Sequence, residues 1–371
     1  MKKLLILIIT FNSLLFSQNI DDNEFFDKLY VDRQPSAKIE SMGRCGVVVP
    51  DEMFSVFYNP AHISTINGVS VSSSIVSPYS MMDDSQFSFI GIGFSLKKKL
   101  SFGFSLYNYQ SEKLDYVLPA NIVLDNPESN DYKLTISLSP NRAFSIGVSG
   151  KYVSTNEIDS LFNQKVLKGY DMDVGIHQIV AVTRNRNFRQ RTSIGISFIN
   201  VFSADIGNYK LPRIMNTGVN FSFIPRVGTI IPHINSVLFT FTGEYQKMWD
   251  SDYHSGMKFG SELLVAEIVS LRCGYYWDKV NDKDETIYYD NPADPEFGEI
   301  NYKVYEYIEE FTYGFGLNIP LYRFYGSKIP LNIKFDYANM KYPESNDSDL
   351  IDYDNINSYS LSVNWLMRME D

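Results

Sequence analysis

The sequence predicts an all-β fold, an antiparallel transmembrane β-barrel of about fourteen strands that follows an N-terminal hatch segment. Three observations favour it. Apolar and small polar residues alternate with a period of two, the number of such stretches is even, and the connections between them alternate between short and long. Because a lone strand would leave backbone groups unpaired in lipid, strands that cross a bilayer must close into a barrel.

The alternation begins near Val69 and recurs as far as the C-terminal region. Four of these stretches have the apolar pairs Phe102 and Phe104, Ile146 and Val148, Ile194 and Ile196, and Leu361 and Val363, each separated by Gly or Ser. Side chains of a strand point alternately to its two faces, so each stretch has one apolar and one small polar face. We predict that Phe104, Ile146 and Ile196 contact lipid. The neighbouring Gly103, Gly147 and Gly195 are predicted to point into the lumen and to tolerate serine.

The pattern predicts fourteen strands, most of them about the 9 to 11 residues that a tilted strand needs to cross a bilayer. Their predicted bounds are 69–76, 85–96, 100–110, 131–139, 143–153, 171–183, 191–201, 214–223, 236–247, 256–266, 268–278, 310–319, 330–340 and 357–367. The predicted long connections include 111–130, 154–170, 279–309 and 341–356, whereas the links at 97–99, 140–142 and 266–267 are short. Barrels of outer membranes have short turns on one side and long loops on the other, which favours a barrel over a soluble sandwich.

The first residues have the pattern of a secretory signal peptide. Lys2 and Lys3 precede an apolar run that ends at Phe16, and this run is too short to span a bilayer as a helix. We predict a signal peptide over 1–17, a polar lead-in over 18–36, a hatch segment over 37–68 and the barrel over 69–371. The expected location is the outer membrane of a Gram-negative-type bacterium.

Tyrosines and a tryptophan fall near one end of several predicted strands. They are Tyr107, Tyr109, Tyr152, Tyr245, Tyr275, Tyr276, Trp277 and Tyr337. Transmembrane barrels carry aromatic girdles at the level of the lipid headgroups, and we interpret these residues as one such girdle.

Charge is sorted between the two sets of connections. The formal net charge of -11 is concentrated in the predicted long loops, above all between Asp278 and Glu310, whereas short turns carry Lys97 to Lys99 and several arginines. A basic patch, which nucleic-acid binding requires, is missing from the predicted outer face. Plain solubility or divalent cations that bridge lipopolysaccharide would explain the acidic loops.

The polar phase of the strands places charged side chains in the lumen. A predicted lumen charge network consists of Glu244, Lys258, Glu262, Arg272, Lys334 and Asp336, and Lys151, Asp173 and His177 are expected to face the lumen as well. The network is interpreted as an anchor for the hatch in preference to the lining of an open pore, because an unplugged lumen of this size would leak nonspecifically.

The sequence offers no catalytic or metal-binding pattern. The four histidines, His62, His177, His233 and His254, are scattered, without a nucleophile or a second ligand at a telling spacing, so we expect a non-enzymatic protein without cofactor or metal. Cys45 lies in the hatch and Cys273 in the lipid-facing phase, and this separation disfavours a disulfide.

The stretch 42–65 differs from all that follows, because it is too irregular for a strand and too rich in Gly and Pro for a long helix. Its hatch motif consists of Gly43, Gly46, Tyr58, Asn59, Pro60 and Ala61. This pattern resembles the N-terminal segment of the PorV/PorQ family of outer-membrane proteins, and it is similar to the hatch of the FadL family of long-chain fatty acid transporters.

The two resemblances imply different functions. PorV/PorQ membership implies an accessory or receptor barrel of type IX secretion, with secretion-system components or secreted proteins that carry C-terminal sorting domains as partners, besides the membrane lipid. The FadL similarity implies transport of a hydrophobic small molecule, in which the apolar hatch residues Phe54 and Phe57 would form part of the pocket. A purely structural or adhesive barrel is a third class.

Overall fold

The computed structural model describes residues 34–76, 86–96, 99–110, 128–158, 164–185, 188–207, 209–225, 237–249, 255–279, 285–287, 300–302, 307–325, 329–340 and 356–366. The predicted signal peptide, almost all of the predicted lead-in and most of the predicted acidic loop between Asp278 and Glu310 lie outside these residues.

The described chain is mostly β-strand. Its strands are β1 (Val69–Val76), β2 (Gln86–Leu96), β3 (Leu100–Gln110), β4 (Glu128–Asn141), β5 (Phe144–Ile158), β6 (Gln164–Arg184), β7 (Phe188–Ile199), β8 (Asp205–Ile206), β9 (Tyr209–Lys210), β10 (Ile214–Pro225), β11 (Val237–Met248), β12 (Ser255–Val265), β13 (Val269–Lys279), β14 (Glu285–Ile287), β15 (Ile300–Tyr302), β16 (Tyr307–Ile319), β17 (Leu331–Met340) and β18 (Ile356–Trp365). The short strands β8 with β9, and β14 with β15, form two separate hairpins.

The other fourteen strands form a closed antiparallel barrel, which confirms the predicted all-β antiparallel barrel and its strand number. Each strand pairs with its neighbours along the chain, and β1 closes the ring against β18 with Val69 opposite Trp365. Closure leaves no strand edge unpaired in the ring, because every strand has a partner on both sides.

The two faces of the strands are as predicted. Phe104 exposes 49% of its surface on the outside of the barrel, whereas its neighbours Ser105 and Ser101 are buried on the inside. The outward positions of the other strands likewise carry exposed Ile, Leu, Val and Phe. The inside is built from Ser, Thr, Gly and charged residues, as the alternation in the sequence requires.

The two ends of the barrel differ. At one end, called here the short-turn end, most connections are short, such as 266–268, where Ala266 and Glu267 adopt left-handed backbone angles (φ 55° and 58°), whereas 226–236 and 320–330 are longer. The opposite end is called the long-loop end. One predicted long loop is wrong, because β5 runs to Ile158 and β6 begins at Gln164, so that most of 154–170 is strand.

Residues 34–68, called here the N-terminal segment, contain two short α-helices, α1 (Ala37–Glu40) and α2 (Ser55–Tyr58), and two 3₁₀ turns, Glu52–Phe54 and Pro60–Thr65. A third short helix, α3 (Leu321–Tyr325), joins β16 to β17. Within the described residues, every helix is too short or too polar to cross a bilayer.

Candidate functional site

The N-terminal segment lies against the inner wall of the barrel. Ser36 caps α1 by accepting a hydrogen bond from the Ile39 backbone N–H at 3.1 Å. Gly43 and Arg44 then adopt left-handed angles (φ 63° and 65°), and this turn carries the chain along the wall to Val47. The segment is almost entirely buried, so it occupies the lumen at the level where these wall contacts lie.

Glycines of the wall allow this close approach. A Cβ atom added to Gly147, Gly175, Gly195, Gly260 or Gly274 would lie between 1.9 and 2.3 Å from an atom of the N-terminal segment. The nearest atoms belong to Pro60, Asn59, Val47, Met42 and Gly43 respectively. The expectation that Gly147 and Gly195 tolerate serine is therefore wrong, whereas a Cβ at Gly103 would come nearest to the flexible end of Met53, at 2.9 Å from Cε.

The six predicted hatch residues take part in one set of contacts. The Gly43 N–H donates to Thr312 Oγ1 of β16 at 2.9 Å, which ties the segment to the wall. Gly46 lies against the Tyr58 ring, where a Cβ would stand 2.3 Å from Cδ1. The Tyr58 hydroxyl accepts a hydrogen bond from the Ser36 N–H at 3.2 Å.

Asn59, Pro60 and Ala61 form a fixed turn next to β5 and β6. Asn59 Nδ2 donates to the carbonyl oxygens of Val47 (2.8 Å) and Ile176 (3.1 Å), and its Oδ1 accepts from the Ala61 N–H at 3.1 Å. The His62 Nε2 lies 2.8 Å from the Val47 oxygen and donates to it. The sequence did not single out Val47 as the residue that these side chains share.

The predicted lumen charge network forms two separate clusters. In the first, Glu244 accepts from the Val47 N–H at 2.9 Å and lies 3.8 Å from Lys258, which donates to Gln246 at 2.6 Å. Glu244 and Lys258 are opposite one another on β11 and β12. This cluster therefore fixes the backbone of the N-terminal segment where it turns along the wall.

The second cluster lies nearer the short-turn end. Arg272 binds Glu262 through Nε and Asp336 through Nη1, both at 2.7 Å. Lys334 forms an ion pair with Glu52 of the N-terminal segment. The structure thus brings together four residues of the predicted network, Glu262, Arg272, Lys334 and Asp336. It adds Glu52, which lies 282 positions before its partner Lys334 in the chain.

A cavity of about 420 Å³ opens beside this second cluster. Its lining combines charged side chains, Lys38, Glu262, Arg272, Lys334 and Asp336, with apolar ones that include Ile224, Leu238 and Leu264. Apart from Lys38 of α1 and Glu267 of the turn between β12 and β13, the lining residues belong to the ends of β10 to β13, β16 and β17 that meet at the short-turn end.

Burial changes the ionisation of the N-terminal segment. Burial raises the pKa of Asp51 to about 7, although Lys38 opposes the shift and Glu52 adds to it. Burial also lowers the pKa of His62 well below its usual value and raises that of the Cys45 thiol. Around neutral pH, His62 is uncharged and Cys45 is a thiol.

The inside of the barrel is aromatic near the long-loop end of β2 and β3. Phe87, Phe89, Tyr107 and Tyr109 are buried on the inner face. Phe57 of the N-terminal segment meets Tyr107 with ring centroids 5.3 Å apart, and Phe54 meets Phe89 at 5.0 Å. The interpretation of Tyr107, Tyr109 and Tyr276 as girdle residues is wrong, because all three point inward.

Within the described residues, the structure has no cluster of three or more His, Cys, Asp or Glu side chains that could hold a metal ion. Cys45 is buried and Cys273 is exposed, and each is a free thiol.

Comparisons with known proteins give only distant structural likenesses. No family model matches the chain, and no curated protein does. The chain is similar to a crystal structure of the Pseudomonas putida toluene transporter TodX, with 10% sequence identity, a TM-score of 0.48, and coverage of 95% of this chain and 100% of the other. It is also similar to the monoaromatic hydrocarbon channel CymD (8% identity, TM-score 0.47, coverage of 91% and 99%). A third likeness is a Pseudomonas aeruginosa FadL homologue (10% identity, TM-score 0.46, coverage of 90% and 98%).

Proposed function

We propose that the protein is an integral outer-membrane barrel, plugged by its N-terminal segment, that carries hydrophobic small molecules across the membrane. The membrane location rests on the outside of the barrel, where large apolar side chains are exposed on strand after strand. They include Ile90, Phe104, Leu134, Val148, Ile194, Phe241, Phe259, Leu271, Phe315 and Leu361. A continuous apolar band of this kind marks a surface that lipid covers.

The location is tested by fractionation and electrophoresis. The protein should sediment with outer membranes and should migrate at two positions on a gel with and without boiling, because a closed barrel resists detergent until heated. Recovery in the soluble periplasmic fraction, with identical migration of both samples, would contradict the proposal.

The plug is proposed because the N-terminal segment contacts the wall through glycines on β5, β6, β7, β12 and β13 and through Glu244 and Lys334. In a planar lipid bilayer, the wild-type protein should be electrically silent, and a variant that lacks residues 43–61 should conduct. A matched control deletes part of a connection at the long-loop end, such as 341–350, and should stay silent. A wild-type protein that conducts as a wide pore would rule out the plug.

A hydrophobic ligand is proposed because part of the barrel interior is aromatic. This region is formed by Phe54, Phe57, Phe89 and Tyr107. Pockets for apolar ligands are lined mostly by apolar and aromatic side chains, with a few polar groups that set orientation. The sequence favoured a lumen of Gly, Ser, Asn and charge, which describes the rest of the interior but not this region.

Toluene is the probe we choose, since two of the similar structures are described as a toluene transporter and a monoaromatic hydrocarbon channel. Cells that express the wild-type protein should take up radiolabelled toluene faster than cells without it, and the double substitution Phe54→Ser with Phe57→Ser should abolish the gain. Phe241→Ser, which alters an outward aromatic that is 56% exposed, is the matched control. Equal uptake by the double variant and the wild type, both heat-modifiable, would reject the carrier function.

The second candidate function is the accessory or receptor role in protein secretion that the PorV/PorQ resemblance implies. The close fit of the N-terminal segment against five wall glycines favours it, because a receptor needs a rigid barrel and does not need its plug to move. Affinity purification from native membranes distinguishes the two. Retention of secretion-system components or of proteins with a C-terminal sorting domain, together with unchanged toluene uptake in the Phe54 and Phe57 variant, would favour the receptor.

A further inference from the structure

The connection between β7 and β10 folds into the barrel. Residues 200–213, called here the inward hairpin, carry β8 and β9 and begin with left-handed angles at Asn200 and Ser203 (φ 56° and 50°). Ile206 and Leu211 are fully buried. A Cβ added to Gly169 of β6 would lie 2.7 Å from Ile206 Cγ1, and Gly169 faces the lumen. The hairpin therefore lies on the inner face of β6 near the long-loop end.

Two carboxylates of β6 hold the inward hairpin by its backbone. The Oδ1 of Asp171 accepts from the Phe202 N–H at 3.0 Å, and its Oδ2 accepts from the Ala204 N–H at 2.9 Å. The Oδ1 of Asp173 accepts from the Asn200 N–H at 2.8 Å. Hydrogen bonds to ionised acceptors are stronger than neutral ones, so these three bonds anchor the hairpin.

Asp173 also belongs to a buried ion cluster that reaches the N-terminal segment. It lies 2.6 Å from Lys151 and 3.0 Å from Lys133, and all three side chains are at most 2% exposed. The Lys133 ammonium stands 5.1 Å from the centre of the Phe57 ring in the N-terminal segment. One continuous set of contacts thus joins the hairpin, Asp173, Lys133 and Phe57.

We propose that the inward hairpin is a second closure of the lumen and that its position is coupled to that of the N-terminal segment through Asp173 and Lys133. In a buried cluster, each charge depends on its partners, because water cannot replace a lost one. Movement of the hairpin removes the Asn200 N–H from Asp173, which is one of two carboxylates that hold Lys133 near Phe57; the other is Asp131, at 3.5 Å from Lys133. Release of one closure then favours release of the other, and the coupling is the same in both directions. It is independent of which ligand or partner the barrel serves.

The chain contains its own reporter for this coupling. Cys45 of the N-terminal segment is fully buried, and once Cys273→Ser removes the other thiol, labelling of Cys45 by a maleimide reports opening of the segment. Asp171→Asn weakens the anchor of the hairpin without touching the segment. It should speed Cys45 labelling about tenfold, the effect of losing one charge-assisted hydrogen bond. Asp205→Asn, at an exposed hairpin position, is the matched control and should change nothing.

The coupling residue is tested by a double-mutant cycle. In a Lys133→Met background, which removes the contact to Phe57, Asp171→Asn should no longer change the labelling rate of Cys45. A second reporter, Ile206→Cys with both native cysteines replaced, follows the hairpin itself. The proposal is overturned if Asp171→Asn exposes residue 206 while Cys45 labels at the wild-type rate, or if neither site changes.

A disulfide lock gives an answer that does not depend on a destabilising substitution. The Cβ atoms of residues 169 and 206 lie within about 4.2 Å of one another, given the 2.7 Å contact to Ile206 Cγ1, and this separation suits a disulfide. In the Cys273→Ser background, Gly169→Cys with Ile206→Cys should label more slowly at Cys45 when oxidised than when reduced, as measured by peptide mass spectrometry. Equal rates in the two states would refute the coupling.

Discussion

Gly274 of β13 and Gly43 of the N-terminal segment approach so closely that a Cβ on Gly274 would lie 1.9 Å from the Gly43 nitrogen. Real Cβ atoms do not approach a backbone nitrogen to this distance, so either the segment or the strand would have to move. The contact shows that the wall and the segment are fitted to one another at the level of the backbone.

Gly274→Ala should therefore destabilise the assembled barrel by about 1 to 3 kcal/mol, the usual cost of overpacking. The measurement is the temperature at which the folded band is lost on a gel. Gly150→Ala is the control, because a Cβ there meets no atom within 4 Å. A Gly274→Ala variant as heat-resistant as Gly150→Ala would show that the segment is displaced without cost.

The outward face should reject charge at mid-strand. Phe104 lies in the middle of β3 and is 49% exposed, and an arginine at the bilayer midplane of a barrel costs about 2 to 4 kcal/mol. Phe104→Arg should reduce the yield of folded barrel in lipid vesicles. Leu96→Arg, at the last residue of β2, is the control, and its cost should be about 0 to 1 kcal/mol because an interface residue can reach the headgroups.

The alternation of the sequence was sufficient to predict the fourteen barrel strands and the facing of their side chains, but it missed the extension of β5 and β6 and the two separate hairpins. Only one face of each strand is buried inside the barrel. The alternation with a period of two therefore predicts both the presence of a strand and the face that points inward. The same alternation would have placed Tyr107 and Tyr109 correctly on the inner face, since both lie an even number of residues from Ser101, Gly103 and Ser105. The girdle interpretation failed because it used the position of the tyrosines along the strand and ignored their phase.

The contacts of the N-terminal segment could be predicted only in part. An irregular stretch rich in Gly and Pro signals a separate element, but nothing local to Glu52 signals Lys334, its ion-pair partner on the barrel wall. Likewise, the position of Val47 as the common acceptor for Asn59 and His62 depends on the path of the chain after Gly43. Such pairings are set by the closed barrel, which is not a local property of the sequence.

Arg272 should be critical, because its removal leaves Glu262 and Asp336 buried without their shared cation. Arg272→Met is expected to destabilise the barrel by about 3 to 5 kcal/mol. The combined variant Arg272→Met, Glu262→Gln and Asp336→Asn should recover most of this loss, since no buried charge is left unpaired. Denaturant titration in detergent, followed by tryptophan fluorescence, gives both values, and a combined variant as unstable as the single one would contradict this explanation.

Asp51 should make the folded state less stable as the pH rises. Its pKa is raised from 3.8 to about 7 by burial, so the folded protein holds a proton there that the unfolded chain has already lost. This contribution is fully present below about pH 4 and is lost as the pH rises through 7, with a total of a few kcal/mol. Asp51→Asn should remove this fall, and melting temperatures of the variant and the wild type measured from pH 5 to pH 9 would show it as a difference between the two profiles. The difference is the test, because the lowered pKa of His62 makes the stability of both proteins rise with pH below about 6.5. A difference between the two proteins that does not change with pH would contradict the assignment.

Asn59 provides the last test, because its amide donates to two carbonyl groups and accepts from one N–H at a fully buried position. Asn59→Ala removes all three bonds and leaves the Ala61 N–H unpaired, at a cost of about 1 to 3 kcal/mol. At pH 8, Asn59→Asp should cost more, because a carboxylate replaces the amide donor and faces the oxygens of Val47 and Ile176. At pH 5 the new carboxyl can take up a proton and donate to one of these oxygens. The difference between the melting temperatures of the two variants should then become smaller or change sign. If Asn59 were only a turn residue on a flexible segment, both variants would melt at the wild-type temperature at either pH.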